Sequence, residues 1–80
     1  MNSKAPENRN LGEQPIAALM AERELKAHDL VAASGGQVTH KMVTRACKGR
    51  WLTPNSRLKV QAAFEQTTGE AFVLADLFSY

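Results

Sequence analysis

One cysteine, two histidines, one tryptophan and one tyrosine in 80 residues leave this chain short of the residue types from which small folds build staples and sites. Cys47 alone makes no internal disulfide, and no Cys/His pair stands at metal-ligand spacing, so a hydrophobic core must carry the fold unaided. Such cysteine usage points to a reducing compartment. His28 and His40 are twelve residues apart with no Ser, Cys or carboxylate arranged around them, which supports neither a nucleophile–base pair nor a metal site. No apolar run approaches the roughly 18 residues of a membrane span, and polar Met1 to Gly12 has no secretion-type hydrophobic stretch. The expectation is a soluble, cytoplasmic protein that is not an enzyme, with no cofactor, metal or small-molecule ligand indicated. A chain of this length buries only roughly 60% of its unfolded surface, which leaves little room for a catalytic cavity.

What is present is ordinary globular material: 44% apolar and 22% charged residues, five Gly and three Pro, enough for one domain. The net charge of +2 averages unlike parts. From Thr39 to Lys59 there are six basic residues (Lys41, Arg45, Lys48, Arg50, Arg57, Lys59) and no acidic one, whereas Val60 to Tyr80 carries three acids and no base. An acid-free cationic segment is the footprint expected of a polyanion contact, although a solvated basic face has the same composition.

Helical periodicity organises the rest. Residues 1–13 are polar and aperiodic and are expected to be a disordered tail, with the domain over 14–80. Pro15 suits a first helical turn, and Ile16, Leu19, Met20 and Arg23 follow at i, i+3, i+4, i+7, predicting a helix to about Glu24. A short second helix lies within Lys26 to Ser34 and stops at Gly35-Gly36. Thr39 is a candidate N-cap before Met42, Val43, Ala46 and Cys47, and that helix ends near Lys48-Gly49. Thr53-Pro54 starts a fourth helix with Val60, Ala63, Phe64 and Thr67 on one face and Gly69 at its end; Phe72, Leu74, Leu77 and Phe78 fit a short capping turn or a fifth helix. No segment alternates with period two, so the fold class is all-α, four to five short helices. At these spacings Cys47 reads as a small core residue, and Trp51 as a structural lid over the Pro54 turn or a contact to a sugar.

From Ile16 to Phe78 the order of these pieces resembles the phage-repressor/Cro (Xre-like) helix-turn-helix family. Ile16-x-x-Leu19 through Arg23-x-Leu25 is similar to that family's first helix, which usually ends in Arg-Gly-Leu-Thr. Asp29-Leu30-Val31 through Gly35 is similar to its second helix, and Val38-Thr39, Val43-Thr44-Arg45 and Lys48-Gly49 to its third. Pro54, Lys59-Val60 with Ala63-Phe64, and Asp76-Leu77-Phe78 continue the likeness. Three departures stand out. The turn Gly35-Gly36-Gln37-Val38-Thr39 is two residues longer than the family's Gly-Val-Ser. Ala27 replaces a Gln that holds a phosphate, with Lys26 the nearest substitute. Cys47 replaces a Glu that pairs with the first-helix Arg, so Arg23 must find another partner or stay in solvent. Gly35-Gly36-Gln37 also resembles the tripeptide of peptide-chain release factors, but the helices on either side explain its glycines as a stop.

The resemblance implies sequence-specific binding of double-stranded DNA by a small bacterial or phage-type transcriptional regulator, with the third helix in the major groove. It assigns base contacts to His40, Lys41, Thr44 and Arg45 and backbone contacts to Lys26, Thr39, Lys48 and Arg50. Met42 fits either a thymine methyl or the core. A single short recognition helix buries little surface, so a homodimer is expected, through the C-terminal apolar patch Phe72, Leu74, Leu77, Phe78 and Tyr80. The alternative is a helix-turn-helix scaffold for a protein partner, antitoxin-like or adaptor, using that same patch.

Overall fold

Pro15, with no N–H to leave unsatisfied, opens α1 (Pro15–Glu22) in a computed structural model that describes residues 11–80. It is followed by α2 (Ala27–Ala33), α3 (His40–Lys48), α4 (Pro54–Thr68) and α5 (Leu74–Leu77), with no strand among the described residues. The protein is an all-α bundle of five helices. No described helix is long and apolar enough to cross a membrane.

The helix ends follow from local chemistry. Thr39 Oγ1 accepts from the Met42 N–H at 3.1 Å and Thr53 Oγ1 from the Ser56 N–H at 3.1 Å, so both threonines are N-caps. Gly49 and Gly69 take left-handed conformations at the ends of α3 and α4. At α1 the corresponding residue is Glu24, the one non-glycine with positive φ (55°) among the described residues, and the Leu25 N–H then closes back onto the Met20 carbonyl. That turn ends α1 at Glu22, two residues earlier than periodicity predicts.

Between α2 and α3 the chain makes its longer turn without losing its anchor. Gly35 and Gly36 bulge into solvent at positive φ, while Ser34 Oγ donates to the Val31 carbonyl and accepts from the Val38 N–H. Val38 thereby enters the core, 1% exposed, and α3 starts directly after it. The core comprises Ile16, Met20, Leu30, Val38, Val43, Ala46, Leu52, Val60, Ala63, Phe64, Leu77 and Phe78, so every helix contributes to it. α2 packs on both α3 and α4, and α1 packs on α3 and α5.

Positions 1–10 of the tail expected over 1–13 lie outside the described residues. Leu11 to Glu13, however, belong to the fold. The Leu11 N–H donates to the Gly49 carbonyl and the Gln14 N–H to the Cys47 carbonyl, so this strap satisfies carbonyls that the C-terminus of α3 leaves open. Gln14 is buried, and its amide oxygen accepts from both the backbone N–H and the hydroxyl of Ser79, tying the two ends of the described chain together.

Candidate nucleic-acid interface

α3 divides cleanly into two faces because nine residues at 3.6 per turn place 43, 46 and 47 opposite 40, 41, 44, 45 and 48. Val43 and Ala46 are buried and Met42 and Cys47 half-buried, whereas His40, Lys41, Thr44, Arg45 and Lys48 are all exposed. The four residues expected to contact bases therefore share one solvent-facing surface, with three cations from α3 on it. Met42 packs against the core, which favours that role over a thymine contact.

The backbone-contact candidates surround this face. Lys26 precedes α2 and is exposed; its own N–H donates to Asp29 Oδ2 at 2.8 Å, which fixes the first turn of α2 and leaves the ammonium at its edge. Thr39 uses a lone pair of its hydroxyl for the cap and keeps its proton for an outside acceptor. Arg50 follows the left-handed Gly49, and its N–H folds back to the Arg45 carbonyl at 2.9 Å, leaving the exposed side chain beyond the end of α3.

Two of the six cations in the Thr39 to Lys59 segment go elsewhere. Arg57 lies between Trp51 and Tyr80, 6.0 Å and 4.7 Å from their ring centroids, and its Nη1 donates to the Tyr80 carbonyl at 2.9 Å. Its Nε is buried without a hydrogen-bond partner among the described residues, and the Tyr80 carbonyl and the two aromatic rings together stabilise the charge. Trp51 is half-buried and set against Arg57. Lys59 lines a shallow groove between α2 and α4 with Ala33, Gln37 and Leu58. An acid also approaches: Glu13 on the strap is near enough to Cys47 to bear on its thiol.

Cys47 donates to Met20 Sδ at 3.7 Å at the base of a cleft of about 320 Å³, flanked by Lys26 and Lys48. Burial, and secondarily the Glu13 charge, push the thiol pKa up, which disfavours the thiolate. Arg23, deprived of a partner in α3, pairs instead with Glu70 at 3.0 Å and lies 5.5 Å from the Phe72 ring centroid.

The C-terminal patch expected to face a partner is largely internal. Leu77 and Phe78 are 0% and 2% exposed, and Phe72, Leu74 and Tyr80 pack against the core. The patch carries the α1–α5 and α4–α5 packing, and an amphipathic segment read alone gives no sign of whether its partner is internal.

Sequence reading also set His28 and His40 apart. In the fold their ring centroids are 6.2 Å apart with 26° between the ring planes, because α2 and α3 bring their first turns together. Only the helix-to-helix packing reveals this pair. No protein-family model, curated protein or solved structure matches the chain.

Proposed function

We propose that the protein binds double-stranded DNA sequence-specifically, as a small cytoplasmic transcriptional regulator of the phage-repressor/Cro type, laying α3 in the major groove. The observation that carries this reading is the single exposed face of α3 bearing His40, Lys41, Thr44, Arg45 and Lys48, opposite buried Val43 and Ala46. An α-helix fits the major groove, and its N-terminal residues are the ones that meet base edges. Arg45 suits the O6/N7 pair of guanine, Lys41 a guanine or a phosphate, and His40 and Thr44 one hydrogen bond each. Lys26, Thr39, Lys48 and Arg50 hold phosphates and set register.

The left-handed Glu24 adds support, since it stands where the resembling family's Arg-Gly-Leu pattern has glycine. The scaffold alternative loses its best surface with Leu77 and Phe78 in the core. Two copies on adjacent half-sites supply the contact area that one α3 lacks.

The test is an NMR titration of the full chain with duplexes selected from a randomised pool, repeated across salt concentrations. Shifts should concentrate on Lys26 and Thr39 to Arg50. With Lys26, Lys48 and Arg50 on phosphates, the log–log salt slope per chain should be about −3. Silence over α3, with shifts elsewhere or none, would refute the reading.

A further inference from the structure

We propose that His28 and His40 form a two-histidine site for a divalent transition-metal ion, bridging the first turns of α2 and α3. These are the chain's only histidines, and the fold brings them together across twelve residues of sequence. Both are exposed, and neither imidazole has a hydrogen-bond partner among the described residues, so each neutral ring has one lone-pair nitrogen open to a ligand. Imidazole nitrogens holding one tetrahedral zinc ion at about 2.0–2.1 Å place their ring centroids roughly 5 Å apart. The observed 6.2 Å is about 1 Å longer, and both side chains are exposed, so rotation about their own bonds is the movement that closes them onto one ion.

The chemistry limits the occupant. Imidazole is a ligand for zinc, copper and nickel rather than for calcium or magnesium. No group of three or more His, Cys, Asp and Glu side chains is placed to hold a metal among the described residues, so water completes the coordination. The site takes a metal in exchange with solvent and is no structural zinc centre. Lys26 and Lys41, neighbours in sequence of the two histidines, oppose a cation, as do the positive ends of the helices. Affinity therefore rests on the two nitrogen–metal bonds, and loss of either should be decisive.

Metal bound here ties α2 to α3 and, on the proposed DNA reading, withdraws His40 from the groove-facing surface. Occupancy would then lower DNA affinity, coupling metal level to the regulator.

The experiment is calorimetric titration of the tag-free full chain with Zn2+ at neutral pH, on the parent and on His28→Gln, His40→Gln and Cys47→Ala. The expected result is saturable binding of one ion, weakened about tenfold or more in each histidine variant and unchanged in Cys47→Ala, with a zinc-dependent rise in Tm for the parent alone among the parent and the two histidine variants. Circular dichroism checks that the exposed substitutions leave the helices intact. Absence of binding, dependence on only one histidine, or dependence on Cys47 would overturn the site. In the DNA arm, zinc should weaken duplex binding by the parent and not by His28→Gln. Zinc titrations that behave as expected, with no duplex binding at all, would refute the DNA reading and leave the metal site standing.

Discussion

Glu24 is held in a left-handed conformation that costs a residue with a Cβ about 1–2 kcal/mol. Among the described residues its side chain has no hydrogen-bond or ion-pair partner that would compensate. Glu24→Gly removes that strain and returns about 0.4–1 kcal/mol to the unfolded chain as extra freedom. The net expectation is stabilisation by up to about 1 kcal/mol, a rise of a few degrees in Tm by thermal denaturation. An unchanged or lower Tm would show that α1 relaxes around Glu24 without strain. Arg45 and Lys48, one helical turn apart on the same face, should separate in function. Arg45→Ala should cost about 1–3 kcal/mol on the preferred duplex and relax one base position. Lys48→Ala should weaken all duplexes alike and reduce the salt slope by about one unit, and an unchanged slope would remove Lys48 from the interface.

At the scale of elements, α3 depends on what closes each of its ends. Its N-terminus is closed locally, by Thr39. Its C-terminus is closed by chain from before α1: Gly12 lies directly against Gly49, where a Cβ would collide with the Gly12 backbone. Gly69 has the same left-handed conformation at the end of α4 but open space around it. Gly69→Ala should therefore cost about 1 kcal/mol from conformation alone. Gly49→Ala should cost at least about 2 kcal/mol, because the strap must also move. Equal losses by chemical denaturation would mean that the strap contributes nothing to α3. The helix-stop role of Gly49 was legible in sequence from its position after Lys48; the strap was not, since Leu11 to Gln14 shows no periodicity and makes its bonds through backbone atoms.

Across the whole molecule, Arg23 and Glu70 tie the end of α1 to the segment after α4, 47 residues apart. The hydrogen bond from Arg23, followed in the same direction by its charge, holds the Glu70 pKa below the ordinary carboxylate value of 4.5. A depressed folded-state pKa adds stability that is present above the unfolded value and disappears as pH falls through the folded one. The parent should lose this increment on acidification below about pH 4.5, and Glu70→Gln should lack it. Glu70 is exposed and Arg23 half-buried, so the effect is small and should fade in high salt. A parent and variant with parallel acid-denaturation profiles at low salt would show the pair to be energetically silent.

Sequence alone determined four helices and a candidate fifth, the threonine caps and glycine stops of α3 and α4, and the two faces of α3, because capping chemistry and the 3.6-residue period act over a few neighbouring positions. It placed His40, Lys41, Thr44 and Arg45 on one surface for the same reason. Only the tertiary structure decided which cations stay outside, turning Arg57 inward between Trp51 and Tyr80. The fold also decided that the C-terminal apolar residues complete the core, that Gln14 binds Ser79 across 65 residues, and that His28 meets His40. Such contacts join single residues far apart in the chain, and no local pattern carries them: each depends on where packing sends its partner.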